Sequence, residues 1–353
     1  MMRGPLHACG VLLLATPAGA FSAATPEAAL TVRGFVLGSG QWGAAGLRLD
    51  AAADALRALR AAGASWVRLS PTGYFASACS TKVYSIADGA FRTDSPAEVA
   101  DAAHMARALG LKVALSPMLD PDWRLAANVP ANVSRAELGA CFSGRDWPDW
   151  FAAYRTWLRP YVEAAGADVD TLIVAAELRE ASKARAAEGG WRDLCAWGRG
   201  LVRRGASLTY SADADDLLAS RVRWVDALDV LGVDATGLVL EIPGQMESWP
   251  TNLTVPSVEQ FVSAWAPHVN KLSALAVASR TRVLFTRAGY QSRWGAWRRP
   301  SGVLSLDPTD GSCWERQIRS VNLLCTIRRR GGRRASRRHR RLRSAGCCTR
   351  CYL

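Results

Sequence analysis

The stretch Thr171-Leu-Ile-Val-Ala-Ala-Glu177 decides the fold that this sequence predicts. Its apolar and β-branched residues form a continuous run, which is typical of a parallel strand buried on both faces. The run ends on the carboxylate of Glu177, and a polar, alanine-rich segment follows. In α/β barrels, catalytic side chains project from the C-terminal ends of the strands. Glu177 is therefore a candidate acid or base, and a salt-bridged glutamate at a strand end is the alternative.

Short apolar runs alternate with amphipathic helices on both sides of that strand. The patterns predict further strands at Thr31–Leu37, Trp66–Ser70, Leu111–Ser116, Ser207–Ser211, Val230–Val233 and Arg282–Thr286. Helices are predicted between them at Asp50–Ala62, after Asp94 or Ser95 and up to Gly110, at about Pro148–Ala164, at Trp191–Arg203 and at Ser257–Leu272. Loops are predicted around Tyr74 and Phe75, and around Asp120 and Asp122.

This alternation predicts one α/β domain over residues 31–327, a (β/α)8 TIM barrel whose eighth strand is incomplete or missing. A doubly wound open sheet is the structural alternative. With 353 residues, 49% of them hydrophobic, the chain is long and apolar enough to bury a large core.

The positive charge is concentrated at the C-terminus. Residues 328–353 contain eleven arginines and no acid, so they carry +11 of the net charge of +13 and leave 13 − 11 = +2 for the rest. The rest of the chain therefore offers no electrostatic case for nucleic acid. Like charges in the tail repel one another, which predicts disorder. Three origins stay open: a basic arm that binds acidic polymers, a solvated tail without a role, and a shifted reading frame that replaces the eighth strand.

The N-terminus has the pattern of a secretory signal peptide over residues 1–20. Arg3 precedes a short apolar run, and Ala18-Gly-Ala20 supplies the small residues of a cleavage site. The sequence predicts no membrane span and a secreted protein or one in the lumen of the secretory pathway. Cys79 and Cys141 form one of the pairings that an oxidising compartment would allow, although spacing alone does not determine connectivity. Cys195 is predicted as a buried free thiol.

Several motifs for other functions fail on their context. Gly38-Ser-Gly40-Gln-Trp-Gly43 follows a strand as a dinucleotide loop would, but no helix opens at the last glycine and no acid ends the second strand. The four histidines are scattered and no cysteine pair has zinc spacing, so neither a metal nor another cofactor is predicted. The sequence also lacks the motifs of serine hydrolases, NTPases and zinc proteases.

Acids and tryptophans near the predicted strand ends favour a sugar-binding cleft. Asp120 and Asp234 each close an apolar run, as Glu177 does. Flat aromatic rings stack on the C–H faces of pyranoses while carboxylates bind the hydroxyls. Tryptophans predicted in loops or at strand ends are candidates for such stacking, with core packing as the alternative: Trp42, Trp123, Trp147, Trp150, Trp249, Trp294 and Trp297.

Eight motifs in order, between about Val32 and Ser292, resemble glycoside hydrolase family 113. They are Arg33-Gly-Phe-Val-Leu-Gly38, Ala61-Ala-Gly-Ala-Ser-Trp-Val-Arg-Leu69, Leu109-Gly-Leu-Lys-Val-Ala-Leu-Ser-Pro117, Trp147-Pro-Asp-Trp-Phe151, Leu172-Ile-Val-Ala-Ala-Glu-Leu178, Leu208-Thr-Tyr210, Leu231-Gly-Val-Asp-Ala235 and Val283-Leu-Phe-Thr-Arg-Ala-Gly-Tyr290. The resemblance implies a retaining β-mannanase-like enzyme on a (β/α)8 barrel, with glutamates at the ends of strands four and seven.

By this resemblance Glu177 matches the acid/base, and Arg287 stands where the family has its nucleophilic glutamate. Further departures are Met118, Asp213-Ala214 and Thr236, where the family pattern has histidine, Asn-Trp and an aromatic residue. The residues expected to bind substrate are Trp42, Arg68, Tyr74, Asp120, Trp123, Tyr210, Asp213, Asp234 and Tyr290. Together with the signal-peptide pattern, the resemblance predicts a secreted protein that acts on or binds a β-linked polysaccharide such as β-mannan, with hydrolysis impaired by Arg287. A non-catalytic carbohydrate-binding barrel is the main alternative. The oligomeric state is not predicted.

Overall fold

The structure is a computed structural model whose main feature is a closed barrel of eight strands. It describes residues 11–14, 34–38, 47–89, 91–125, 134–236, 240 and 257–288. In order around the ring, the strands are Val11–Leu14 (β1), Arg282–Ala288 (β10), Val230–Asp234 (β9), Ser207–Asp213 (β8), Thr171–Ala176 (β7), Lys112–Leu115 (β5), Trp66–Ser70 (β3) and Gly34–Gly38 (β2).

Seven of the eight strands are parallel, as the alternation of strands and helices predicts. The eighth position, between β10 and β2, is taken by β1, which runs antiparallel to both neighbours. This arrangement confirms a (β/α)8-like barrel without its regular eighth strand and excludes the open sheet. The apolar strand β1 comes from the segment that the sequence predicts as a signal peptide.

Five of the seven α-helices in the described residues lie close to their predicted positions, whereas two short ones, Arg179–Lys183 and Ala214–Leu218, were not predicted. They are Leu49–Ala61 (α1), Pro96–Ala108 (α2), Asp146–Ala165 (α3), Arg179–Lys183 (α4), Glu188–Arg199 (α5), Ala214–Leu218 (α6) and Val258–Ala278 (α7). Ser95 caps α2 through a capping box with Glu98. Gly110 follows the end of α2 with a φ of 73°, the left-handed conformation that glycine adopts at little cost.

Two segments predicted as loops are short strands instead. Thr72–Phe75 (β4) and Met118–Pro121 (β6) pair in parallel and form a two-stranded sheet beyond the ends of β3 and β5. Pro71 and Pro117 interrupt the barrel strands, because proline lacks the N–H of a sheet ladder. Pairing then resumes at once, since the N–H of Met118 donates to the carbonyl oxygen of Pro71 at 2.9 Å. The period-two pattern is too short on either side of each proline to predict this.

Trp147 and Trp150, predicted in loops or at strand ends, lie on α3 and are buried. They belong to an aromatic cluster in which Trp150 stacks on Tyr154 at 5.3 Å between ring centroids and contacts Trp191 at 5.6 Å. Trp191 in turn stacks on Trp224 at 4.8 Å. The indole N–H groups of Trp191 and Trp224 donate to backbone carbonyls of the segment after β7, at Ala181 and Ser182. These tryptophans therefore support the polypeptide that follows Glu177, and Trp147 and Trp150 follow the core-packing alternative.

Inside the barrel an apolar layer lies below a polar one. Trp66, Ala114, Ile173, Val230 and Leu284 pack together in the lower layer. Side chains two residues further along a strand face the same side, so Arg68, Ser116 and Thr286 form the next layer toward the C-terminal ends. All three are buried. The barrel interior thus becomes polar toward the end where catalytic residues of such barrels lie.

The chain divides into two compact units, residues 1–235 with 268–288 and residues 236–267 with 289–353. All barrel strands belong to the first unit. Among the described residues, no helix has both the length and the apolar character that a membrane span requires.

Candidate active site

Glu177 is the first residue after β7, and its backbone is strained. Its φ is 58°, in the left-handed region that side-chain-bearing residues rarely adopt, and such strain concentrates at functional sites. The N–H of Glu177 donates to the carbonyl oxygen of Ser211 on β8 at 3.0 Å, after an irregularity in the pairing of the two strands between Ile173 and Ala176. The bulge and the backbone turn the carboxylate into the C-terminal mouth of the barrel, where 25% of its side chain stays exposed.

Arg287, on β10, is in contact with Glu177, as their positions at two strand ends predict. The Nη2 of Arg287 lies 2.8 Å from the Oε1 of Glu177, and its Nε lies 3.0 Å from the Oδ2 of Asp234 at the end of β9. A guanidinium group therefore bridges two carboxylates from the ends of β7 and β9, which are separated in the ring by β8. Glu177, Arg287 and Asp234 therefore lie together, as expected for residues at the C-terminal ends of parallel barrel strands.

Arg135 is a second cation at Glu177, and sequence reasoning missed it. It lies in a 3-10 turn, Arg135–Glu137, that precedes α3. Its Nη1 donates to the Oε1 of Glu177 at 3.3 Å and its Nε to the Oδ1 of Asp120 at 2.8 Å. The pattern Ser134-x-x-Glu137 signals a capped turn, but no sequence pattern indicates that this turn reaches the mouth of the barrel.

These contacts form a chain of alternating charges, which we call the ion-pair chain, ordered Asp234, Arg287, Glu177, Arg135 and Asp120. Glu177 lies at its centre, and each arginine contacts both Glu177 and one outer aspartate. Both outer aspartates are nearly buried, with 4–5% of each side chain exposed. Asp120 and Asp234 thus face the same cleft as Glu177, as predicted.

Arg68 lies beneath this chain as a third, more deeply buried cation. Only 1% of it is exposed. Its Nη1 donates to the carbonyl oxygen of Thr286 at 3.2 Å and its Nη2 to the sulfur of Met118 at 3.2 Å, and its Nε has no partner among the described residues. Burial and the neighbouring Arg287 lower the pKa of Arg68 to about 10, and the group stays cationic at neutral pH.

The three arginines determine the protonation of Glu177. Burial by itself would raise the pKa of its carboxyl group, but the charges of Arg287, Arg135 and Arg68 outweigh burial and lower it to about 2. Glu177 is therefore an ionised acceptor at neutral pH. A carboxylate in this state can accept a proton but cannot donate one.

The other predicted substrate-binding residues are placed differently. Tyr74 and Tyr210 are both buried, at 1% exposure each, and the ring of Tyr210 packs on Trp191 at 5.5 Å in the aromatic cluster. Asp213 ends β8, caps α6 and accepts a hydrogen bond from the Nη2 of Arg179 at 2.9 Å. Trp42, Tyr290 and the side chain of Trp123 lie outside the described part of the chain, so their predicted roles stay predictions.

The predicted disulfide between Cys79 and Cys141 is formed, and Cys195 is a buried free thiol. Within the described ranges, no group of three or more His, Cys, Asp or Glu side chains is arranged to hold a metal ion. Among the described residues, the charged groups of the ion-pair chain and Arg68 beneath it are available for chemistry at the mouth of the barrel.

Comparison with known proteins adds a family match. The family model for Glycoside Hydrolase Family 113 matches residues 34–317, whereas no curated protein sequence matches this chain. Among solved structures, the fold is similar to that of a GH113 β-1,4-mannanase in a complex, with a TM-score of 0.60, 22% identity and 84% coverage of each chain. It is also similar to the GH113 β-mannanase from Alicyclobacillus acidocaldarius in complex with ManMIm, with a TM-score of 0.58, 23% identity, and coverage of 83% of this chain and 80% of that one.

Proposed function

Because this chain belongs to glycoside hydrolase family 113, we propose that it binds a β-linked polysaccharide such as β-mannan in the mouth of its barrel, with little or no hydrolysis. The observation that carries the proposal is the 2.8 Å contact between Arg287 and Glu177, at the strand ends where the family resemblance requires two glutamates. The substrate class is supported by the two family 113 mannanases of similar fold.

The expected loss of hydrolysis follows from the chemistry of retaining glycosidases. Such enzymes need two carboxyl groups about 5 Å apart, one to attack the anomeric carbon and one to protonate the leaving oxygen. A guanidinium at position 287 cannot attack, and it also keeps Glu177 ionised, which removes the proton donor. The nucleophile and the proton donor are thus lost together. Because catalytic groups act as a unit, the loss of either one already removes most of the rate enhancement.

Secretion is part of the proposal. It is supported by the signal-like N-terminus, by the Cys79–Cys141 disulfide, which persists in oxidising compartments, and by the glycosylation sequons at Asn132 and Asn252. Expression in a secreting host and N-terminal sequencing of the product would test it. A secreted chain that starts near Phe21, and that has therefore lost β1 and keeps the seven parallel strands, is the expected result. A chain retained in the cell with its leader intact would contradict it.

Hydrolysis is tested by incubating the protein with β-mannan and manno-oligosaccharides and measuring new reducing ends. We expect no turnover above background from the natural chain. Measurable turnover is expected from Arg287→Glu combined with Arg135→Gln, because the new carboxylate supplies a nucleophile and loss of both contacting cations raises the pKa of Glu177. Arg287→Gln combined with Arg135→Gln is the matched control, since it removes both cations without adding a carboxylate. Turnover by the natural chain that disappears in Glu177→Gln would overturn the proposal.

Binding without turnover distinguishes a carbohydrate-binding barrel from a chain with no affinity for sugar. Retention on immobilised β-mannan is the measurement, and weaker retention of Trp42→Ala or Trp123→Ala is expected if these rings stack on pyranoses. Trp197→Ala, on the outer helix α5, is the control that should leave retention unchanged. A natural chain that is not retained would exclude the binding function.

A further inference from the structure

The segment Ser134–Cys141, which we call the Arg135 segment, carries a charged side chain from a loop into the barrel mouth. Ser134 and Glu137 form a capping box around the turn, and Leu138 is fully buried. Arg135 is 18% exposed and contacts two carboxylates from different strand ends, Glu177 and Asp120. A surface arginine that pairs with neighbours on its own loop would make neither contact. Arg135 is therefore directed at the carboxylates of the barrel mouth.

The Arg135 segment is fastened to the loop after β4 at two adjacent points. Cys141 is bonded to Cys79, with 5.4 Å between the Cα atoms. The N–H of Gly139 donates to the carbonyl oxygen of Ala78 at 2.8 Å. A covalent bond between positions 62 residues apart restricts how far the segment can move from the barrel mouth. The disulfide therefore lies where it can hold Arg135 in place.

The charged and titratable groups that face Glu177 come from six elements. They are Arg287 on β10, Asp234 on β9, Tyr210 on β8, Arg68 on β3, Asp120 on β6 and Arg135 on its segment. Arg287 and Arg68 belong to the barrel strands and stay in place with the ring. Arg135 is the cation of this set whose position depends on a loop and a disulfide.

We propose that Arg135, held by the Cys79–Cys141 disulfide, is a positioning residue that keeps Glu177 ionised independently of Arg287. The contact of 3.3 Å lies within the range over which an opposite charge favours the ionised form of a carboxyl group. In the ion-pair chain, Arg135 and Arg287 each contact Glu177 directly, and each is held on its other side by a different aspartate, Asp120 or Asp234. Loss of either arginine therefore leaves the other contact intact. Glu177 is thus held by two separate cations, one in the barrel and one on a tethered loop.

The inference concerns the proton on Glu177 and rests on the proposed function only in treating that proton as the one a hydrolase would donate. Its test is therefore a titration and requires no sugar. The full-length chain is labelled with ¹³C at glutamate carboxyl carbons, and the signals are followed by NMR as the pH is lowered. Glu177→Gln assigns the Glu177 signal by its disappearance.

Arg135→Gln is expected to move the midpoint of the Glu177 titration upward by about one pH unit. Arg135→Lys retains the charge and should leave the midpoint close to that of the natural chain, which a purely structural role for Arg135 would not require. An unchanged midpoint in Arg135→Gln overturns the proposal. If Arg135→Gln does not fold, the test uses Arg135→Lys and the double variant Cys79→Ser with Cys141→Ser. An unchanged Glu177 midpoint in the first and a raised Glu177 midpoint in the second support the proposal, and any other pair of results overturns it.

Arg92→Gln is the matched control, because Arg92 also pairs with a glutamate and is similarly buried, at 25% exposure. Its two nitrogens donate to both carboxylate oxygens of Glu98, at 2.9 Å and 2.8 Å. This contact lowers the pKa of Glu98 to about 2. Arg92→Gln should raise the Glu98 midpoint and leave that of Glu177 unchanged, and a shift of both would show that the measurement reports general loosening.

The contribution of the disulfide is tested by the double variant Cys79→Ser with Cys141→Ser. It should raise the Glu177 midpoint in the same direction as Arg135→Gln, by a smaller amount, because the freed segment keeps its capped turn and its buried Leu138. A shift in Arg135→Gln without one in the cysteine variant overturns the role of the disulfide. These results stand whether or not the chain binds mannan, so failure of the proposed function would be recognised separately.

Discussion

The two ends of strand β7 carry the same chemistry in different settings. At its start, the carboxylate of Asp170 accepts hydrogen bonds from Arg107 at 3.1–3.2 Å, from Arg203, and from the backbone N–H of Val113 at 2.9 Å. At its end, the carboxylate of Glu177 is contacted by Arg287 and Arg135. Both are carboxylates between two arginines, and the strand between them is fully buried.

The difference between the two ends lies in the backbone. Asp170 continues the sheet pairing, since its N–H donates to Val113 and its carbonyl oxygen accepts from Ser207, and 8% of its side chain is exposed. Glu177 has a strained φ and 25% side-chain exposure. The N-terminal end of such a barrel contributes stability and the C-terminal end carries function. Along one strand, the arginine-bound carboxylate of Asp170 thus serves stability, and that of Glu177 lies where function is expected.

The largest effect should come from removing the carboxylate at the stable end. Asp170→Ala removes the side-chain acceptor of the buried N–H of Val113 and the ion-pair partner of Arg107 and Arg203, and we expect it to lower the free energy of unfolding by about 2–3 kcal/mol. Glu177→Ala should cost no more than about 2 kcal/mol, because each arginine of the ion-pair chain retains its outer aspartate. Urea unfolding at pH 7 measures both.

Asp54→Ala is the control for that pair of variants. Asp54 pairs with Arg57 on the exposed face of α1, and its loss should change the free energy of unfolding by less than about 0.5 kcal/mol. Equal costs for Asp170→Ala and Glu177→Ala would remove the distinction between the two ends of β7.

The next effect depends on pH. Because the pKa of Glu177 is lowered to about 2 in the folded chain, its ionised form stabilises the fold fully above the ordinary pKa of a glutamate. That contribution is lost as the pH falls toward 2. Between pH 6 and pH 2 the natural chain should lose on the order of 2 kcal/mol more than Glu177→Gln. Urea unfolding at several pH values tests this, and parallel pH curves for the two proteins would contradict it.

Backbone strain at Glu177 should produce a smaller effect. Glycine adopts the left-handed conformation without steric cost, so Glu177→Gly should be more stable than Glu177→Ala by about 1 kcal/mol. Ala176→Gly, one residue earlier in the regular part of β7, should be destabilising. Thermal unfolding of Glu177→Gly and Glu177→Ala tests the strain, with Ala176→Gly against the natural chain as the control. Equal stabilities of Glu177→Gly and Glu177→Ala would show that Glu177 is unstrained.

The smallest effect is expected midway along β7. The hydroxyl of Tyr154 on α3 donates to the carbonyl oxygen of Val174 at 2.7 Å. Tyr154→Phe keeps the buried ring and removes that bond, so it should cost about 1 kcal/mol or less. Its Glu177 titration should match that of the natural chain, because the change does not reach the barrel mouth. A shifted titration would show that the middle of the strand transmits changes to its end.

Several parts of the fold could be predicted because they depend on local pattern. Both ends of β7 were predicted correctly, since a continuous apolar run that stops at Glu177 leaves little choice of boundary. The capped start of α2 at Ser95 follows from capping chemistry. The meeting of Glu177 and Arg287 follows from their place at strand ends, because parallel strands of a barrel end at the same rim.

Other parts of the site could not be predicted. Arg135 lies on a turn before α3, and its contact with Glu177 spans 42 residues of sequence. The strands β4 and β6 follow Pro71 and Pro117, which interrupt the two-residue period by which a strand is recognised in the sequence. Tyr210 has the position of a site residue on β8, yet its ring packs into the aromatic cluster, which only the neighbouring helices determine.

The sequence by itself determined the order of strands and helices and the residues that stand at the strand ends. It did so because hydrophobic periods of two and of 3.6 residues depend only on neighbours along the chain. Tertiary structure alone decided that Glu177 takes a left-handed φ, that Arg135 is its second cation and that Arg68 lies beneath both. These features arise when ring closure and a disulfide bring distant segments together, and such contacts leave no periodic signal in the sequence.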